Sequence, residues 1–585
     1  MKFTSIFLFL LLICSCEKSY FSNYNPKNAK DVFQEKCVSC HSYLEKSDQY
    51  LVQMEYVKAG VPEKSILYRF LKNSHTNGPE NMPPKDSLSK KEIEMIKSWI
   101  LNLNLSTQSS SKILVNANNP LTELELFNRC SLQLTNYTGI ESNPKIYENL
   151  KLKNITSTQA CLQILENSHL SIKGMLKNKN TFSKQTLLTF QKVHNNWFNE
   201  WNFFVAMSTW GTFEILDPGS MGYFFTKSLL DKEFTFRDIF KGKRSFEGIR
   251  ESKVEPEFLL YKFKNEKRYK IKDYRFVYGL SENGKEYKTW NPKRVPTGEL
   301  IGVKAIPVKR DVVKILVNSK DNQKEIKPAV EQIVNKDIHL GLGGGVLGSE
   351  VYINLNLGQE LGRSMDGGRI QPRIWAKSVI KEFLCRDLPV VPITKSEIFV
   401  NLNSNLPFRK NKSCMSCHIT MDPMSYLVRN VEQSLSADAG GDGMIHSTHL
   451  KFYQSNTSLK NADKFPDKDE LFHLRPAHGK FIYQDIRGNF INKNIKTLDD
   501  LGSALLETDD VYLCTAKKYL NFLTGINVNM NLFIDKNLTK QELYIRNLLE
   551  EAGRVLKKNG DLTDVIGVIL NSEIYRGKDF SVNIQ

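Results

Sequence analysis

The chain has no run of 18 or more apolar residues, so no membrane-spanning helix is expected. Cysteine is sparse: ten in 585 residues, too few for a small disulfide-built scaffold. No block of five or six like charges occurs. The 81 lysines and arginines, set against 64 aspartates and glutamates, are spread along the whole length. The net charge of +17 therefore reads as a solvated basic surface and not as a nucleic-acid footprint. Hydrophobic residues make up 41%, which allows sizeable cores and excludes global disorder. The length suggests about three or four domains.

The start of the chain reads as an address. Lys2 precedes an apolar stretch from Ile6 to Ile13, followed by Cys14-Ser15-Cys16. A short charged start, an apolar core and small residues describe a secretory signal peptide over residues 1–15. Its end resembles a bacterial lipoprotein lipobox, which implies cleavage before Cys16 and a lipid anchor on that sulfur. An ordinary signal peptide with incidental cysteines is the plainer alternative. Glu17 carries no aspartate retention signal, so the resemblance implies anchoring to a bacterial outer membrane, on its periplasmic or cell-surface face. An exported protein works where disulfides persist and where neither a nicotinamide cofactor nor nucleic acid is an expected partner.

The cysteines then become informative. Cys37-Val38-Ser39-Cys40-His41 and Cys414-Met415-Ser416-Cys417-His418 both fit C-x-x-C-H, the spacing that attaches c-type haem. In that chemistry each cysteine binds a haem vinyl group and the histidine becomes an axial iron ligand. Two haem c groups are expected. A redox dithiol or half a zinc site is the rival reading of each motif.

The first motif sits in a complete small module. Asp31 to Lys36 can form a helix leading into it, and Asn81-Met82-Pro83-Pro84 offers Met82 as the second iron ligand on a proline-stiffened loop. His75 is an alternative ligand, and a buried core methionine is the plain reading of Met82. Ser89 and Glu92 form a capping box that opens a helix with Ile93, Ile96, Ile100 and Leu103 at helical spacing and Trp99 alongside. Residues 28–104 resemble a class I cytochrome c domain of the planctomycete type. The resemblance implies covalent haem on Cys37 and Cys40, iron held by His41 and Met82, and a terminal helix packed on the first helix. A thioether opposite histidine raises the potential. Met82→Ala is therefore expected to lower that haem's midpoint and admit carbon monoxide; an unchanged midpoint in a redox titration would defeat the assignment.

Around the second motif lie Arg373-Ile374-Trp375-Ala376, Phe383-Leu384-Cys385-Arg386-Asp387-Leu388-Pro389, Asp422-Pro423, Cys514-Thr515-Ala516-Lys517-Lys518-Tyr519 and Ser572-Glu573-Ile574-Tyr575. This order resembles a family of secreted bacterial proteins that join planctomycete-type cytochrome c to domains of unknown function, one with C-x-x-C-H-x-x-x-D-P. The second iron's distal ligand stays open among Met444, His446, His449, His473, His478 and no ligand at all; Met421 is too close to His418. Four cysteines remain, and two disulfides allow three pairings. The favoured ones are Cys130–Cys161, close in sequence, and Cys385–Cys514, which would tie together segments flanking the second motif in the family-like region; buried thiols are the alternative.

The expected fold is mainly α: a class I cytochrome c module, then a large, mostly helical region with a minor β portion. The divisions are 1–15 signal peptide, 16–27 tether, 28–104 cytochrome c domain, 105–120 linker rich in Ser and Asn, 121–330 helical domain with a β-rich insert, and 331–585 second-motif region. Helices are expected at Leu187 to Trp201, 373–385, 497–507, 511–524, 540–557 and 562–571, short strands within 258–318, and a hairpin at Lys480 to Ile491. Gly343 to Gly348 fits G-x-G-x-x-G but reads as a flexible turn. The aromatic stretch His194 to Trp210 reads as core. Function follows from the haems: an exported dihaem c-type cytochrome that transfers electrons to a redox partner protein, an acidic one fitting the basic surface. The alternatives are a peroxidase- or oxidase-like enzyme with an open second haem, or a surface-binding lipoprotein with structural haem.

Overall fold

The computed structural model describes residues 26–37, 44, 48–53, 56–71, 88–103, 120–198, 219–251, 277–280, 286–289, 298–306, 310–315, 331–336, 342–356, 372–404, 406–437, 445–453, 455, 473, 475–535 and 537–577. The leader with Cys16, and the linker from 104 to 119, lie outside them. The chain divides into two compact units, 1–108 with 392–394, and 109–391 with 395–585.

The described part of the first unit is helical. Ala29–Lys36 starts two residues ahead of the sequence expectation because the Asn28 side chain accepts from the N–H groups of Lys30 and Asp31, at 2.8 and 3.1 Å. Short helices follow at Asp48–Gln53 and Ile66–Leu71. Lys90–Leu101 opens with the full capping box: Glu92 N–H donates to Ser89 Oγ at 3.2 Å and Ser89 N–H to Glu92 Oε2 at 2.6 Å. The first and last helices pack together. Phe33 meets Trp99 edge to face at 5.3 Å, and Lys36 Nζ lies 3.2 Å from Glu92 Oε1. Val32, Phe33, Ile96 and Ile100 are buried in this contact, so the isoleucine stripe read from sequence is the core face.

The second unit is built round one hydrophobic core that runs from Leu126 to Tyr575. Its longer helices are Glu123–Thr135, Ser157–Asn167, Thr181–Asn195, Ser220–Leu230, Arg373–Leu384, Lys412–Ser425, Leu498–Glu507, Asp510–Thr524, Lys540–Asn559 and Leu562–Leu570. Disulfides join Cys130 to Cys161, Cα atoms 6.1 Å apart, and Cys385 to Cys514, 5.2 Å apart. The helix expected to reach Trp201 ends at Asn195, with Asn196 as its cap; Trp197 and Phe198 turn back onto the core. Residues 199–218, including Trp201, Phe203, Phe204 and Trp210, lie outside the described residues.

The strands are few. β1 (Ser245–Arg250) pairs antiparallel with β4 (Leu300–Ile306), and β2 (Val277–Leu280) with β3 (Glu286–Thr289). β5 (Arg310–Ile315), β6 (Glu331–Lys336), β7 (Val431–Ala437) and β8 (Ile445–Tyr453) form a mixed sheet in the order β6-β5-β8-β7. β9 (Gly479–Gln484) and β10 (Phe490–Ile495) form the expected hairpin, with Gly488 in the left-handed region at φ 85°. β7 and β8 lie outside the expected strand region, where polar residues break the alternation.

The Gly343 to Gly348 turn is buried and fixed, not flexible. Asp499 Oδ1 accepts from Gly242 N–H at 2.6 Å and Gly344 N–H at 3.0 Å, and a Cβ on Gly345 would stand 2.0 Å from the Ile239 carbonyl oxygen.

One cation is sunk among the aromatic side chains. Lys518 Nζ donates to the Glu382 carbonyl at 2.5 Å and lies 5.0 Å from the Trp197 ring centre. Nearby, buried His194 meets Thr226 Oγ1 at 2.9 Å and Tyr519 Oη at 2.8 Å, and burial holds its imidazole well below the usual range. Burial pulls the Lys518 ammonium down to about 7, although Glu382 opposes the shift. A folded-state pKa below the unfolded one means that the folded chain binds this proton less tightly. Stability from this group is then lowest in acid and rises with pH between about 7 and 10.5. Relative to Lys518→Met, the wild type should gain up to about 1.4 kcal/mol per pH unit across that window. Urea denaturation of both proteins at pH 7 and 9 measures it; a pH-independent difference would refute the assignment.

Candidate functional site

The second motif lies wholly within the helix Lys412–Ser425. Asn411 caps it, accepting from Ser413 N–H at 2.9 Å. Pro423 near its far end lacks the N–H that would continue the ladder, and the helix stops two residues later. One face is spent on the core: Met415, Ser416, Ile419, Thr420, Asp422 and Met424 are buried. Thr420 Oγ1 donates to the Ile482 carbonyl on β9 at 2.8 Å. Gly479 lets β9 cross this helix, since a Cβ there would stand 2.2 Å from the Pro423 carbonyl oxygen.

Cys414, Cys417 and His418 fall at i, i+3 and i+4, and so share a side of the helix. All three are half-buried. Folding thus seats the motif on the core and leaves its sulfurs and imidazole at the boundary with solvent.

The imidazole is held from two directions. His418 Nδ1 lies 3.2 Å from Asp422 Oδ1, one helical turn on. Phe408, from the short turn Pro407–Lys410, stacks on the His418 ring with centroids 4.2 Å apart and planes 30° apart. Asp422 is in turn gripped by Arg373, whose Nε and Nη2 donate to Oδ1 and Oδ2 at 2.6 and 3.2 Å. The Arg373 guanidinium also lies 5.4 Å from the Phe408 ring. Burial disfavours the Asp422 charge, but the bond from His418 and the Arg373 cation outweigh it and hold the carboxyl below its ordinary range. Tyr426 follows on the same segment; burial and the Asp422 charge push its phenol up, and Arg429 stands 4.2 Å from its ring centre.

A second polar knot is built on β9 and the turn after it. Asp510 is completely buried; it accepts from Arg386 Nη1 at 3.2 Å, from Ile486 N–H at 3.0 Å and from the Tyr483 hydroxyl. Burial pushes its carboxyl up. Arg386 follows the Cys385 bridge, and Asp510 opens the helix that carries Cys514. Trp375 Nε1 donates to the Leu347 carbonyl at 3.0 Å and fixes the helix that carries Arg373.

Of the first motif, Cys37 is described: it is buried at the end of Ala29–Lys36, its N–H bonded to Phe33 O at 2.9 Å. Cys40, His41, His75 and Met82 lie outside the described residues, as does Met444. His446 and His449 fall on β8. His473 is buried with Nδ1 2.5 Å from the Arg429 carbonyl, His478 is exposed, and Met421 is half-buried against the core.

The donor set of the second motif fits a covalently attached haem. Two half-buried thiols sit at the attachment spacing beside an imidazole whose Nδ1 is engaged by a carboxylate. Nε2, the nitrogen left for iron, receives no hydrogen bond from a described residue. Arg373 and Asp422 stand out in the sequence only through a family resemblance; the i, i+4 spacing of His418 and Asp422 is the local signal for their contact. Phe408, in a turn before the helix, carried no such signal.

Residues 25–100 match the family model described as cytochrome c oxidase, cbb3-type, subunit III. The match supports an N-terminal cytochrome c module and, with it, haem c binding and electron transfer. No curated protein matches the chain. No solved structure matches it.

Proposed function

We propose that this chain is an exported, lipid-anchored c-type cytochrome of the planctomycete type that carries two haems and transfers electrons. The observation that carries the two-haem reading is the second motif's helix, where two half-buried cysteines accompany an imidazole fixed by buried Asp422. It lies in a chain that already has a cytochrome c module at 25–100.

Haem would supply one-electron Fe(II)/Fe(III) chemistry at both motifs. The chain's own residues would do the rest. Cys37 and Cys40 would attach the first haem, with His41 and Met82 on its iron. Cys414 and Cys417 would attach the second, with His418 on its iron. Asp422 and Phe408 fix the plane of the His418 ring, and Arg373 compensates the buried carboxylate. Lipid on Cys16 would hold the protein at the outer membrane, and the net charge of +17 suits an acidic redox partner protein.

The pyridine haemochrome assay on protein matured in a cytochrome c-assembling host tests this reading. Two covalent haems per chain, both cycling in a redox titration, are expected. Fewer than two would overturn the dihaem assignment.

A further inference from the structure

We infer that Asp422 is a positioning residue that acts through His418 to hold the second haem's midpoint potential below that of the first. The inference rests on the two-haem reading proposed above and adds an order to the two centres.

The ionised carboxylate of Asp422 can only accept, so His418 Nδ1 is the donor across their 3.2 Å contact. A carboxylate in that role draws the proton toward itself and leaves Nε2 richer in electrons; partners of this kind raise the basicity of a ligating histidine. A more basic ligating nitrogen would favour ferric over ferrous iron. Hydrogen bonding around the ligand is one of the protein's levers on haem potential, and burial is another.

The fold makes this contact permanent. The Asp422 side chain is 7% exposed, so water competes little for its oxygens. The Arg373 fork spans both oxygens and sets the carboxylate plane. The Asp422 carbonyl accepts from Ser425 Oγ at 2.7 Å, tying down the same helical turn. Phe408 keeps the imidazole from rotating away. Arg373 also offsets part of the anion's charge, so the carboxylate stays ionised in a dry place without its full field reaching the imidazole. The first centre is expected to go the other way, because its sequence offers the Met82 thioether as second ligand.

The test is a potentiometric titration of the full chain with both haems attached. In the wild type, the midpoint that disappears when Cys414 and Cys417 are both replaced by alanine should be the lower of the two. If it is the higher, the inference is overturned. Asp422→Asn should shift that same midpoint upward by a factor of about ten in the oxidised-to-reduced ratio, or about 59 mV for one electron. The other midpoint should stay where it was, which a merely structural defect would not produce. Asp422→Glu, which keeps the anion, should return the midpoint toward the wild-type value. Two haems with no shift in Asp422→Asn would overturn the role of Asp422 and leave the dihaem reading standing. Should Asp422→Asn fail to assemble, the wild-type order decides. A wild-type chain with fewer than two haems would overturn the dihaem reading itself.

Discussion

Replacing Cys414 and Cys417 together by alanine is expected to give a folded protein with one covalent haem in place of the two proposed for the wild type. The helix supports this outcome. Both cysteines are half-buried, Cys417 packing at the core's edge, and alanine is the best helix former. The buried side, with Met415, Ile419, Asp422 and Met424, keeps its contacts with β9 and the core. Far-UV circular dichroism should therefore change little while the haemochrome absorbance per chain falls by half. The mass of the denatured chain should fall by one haem group. The midpoint of the remaining haem should stay where it was in the wild type. A variant that still carries two covalent haems would remove the second motif from the site.

Asp510→Ala is expected to be strongly destabilising. Its carboxylate has no exposure and serves three donors at once: Arg386, the Tyr483 hydroxyl and the Ile486 N–H. Removing it takes a carboxylate partner from a guanidinium whose side chain is 7% exposed. Breaking such a buried pair from one side costs about 3–5 kcal/mol. The Tyr483 hydroxyl and Ile486 N–H then lose their acceptor as well. Urea denaturation of the wild type and the variant, with the Cys385–Cys514 bridge intact in both, measures the loss. The double variant Arg386→Met, Asp510→Leu should recover much of it, because both buried charges are then removed together. A single variant within about 1 kcal/mol of wild type would show that water reaches the knot and that Asp510 is not the keystone of this packing.

The two predictions differ in how far the sequence could reach. Cys414, Cys417 and His418 are visible as a string of letters because covalent haem attachment needs a fixed local spacing. The capping box at Ser89 and Glu92 and the helices at 498–507, 510–524 and 562–570 are visible for a similar reason: caps and apolar periodicity are local. Asp510 gave no such signal. It is one aspartate among many until β9, the β9–β10 turn and the residue after Cys385 converge on it from 24 to 124 positions away. β7 and β8 carry no clear strand pattern because their polar residues hide the alternation; β8 is a strand since it lies between β5 and β7. The Gly343 to Gly348 turn looks flexible in the sequence because glycine alone reports freedom, whereas its rigidity comes from Asp499 more than 150 residues on.

The sequence alone therefore determined the chemistry on offer: two C-x-x-C-H motifs, one inside a small cytochrome c module, and a mainly helical chain. These rest on spacing within a few residues, which covalent bonding and helical periodicity read directly. Only the tertiary structure decided what surrounds the second motif. It brought Arg373 and Phe408 onto the His418–Asp422 pair and packed the helix behind them on β9. Contacts of this kind depend on how distant segments close a shared core. Burial then sets how strongly each charge, ring and hydrogen bond acts on the imidazole.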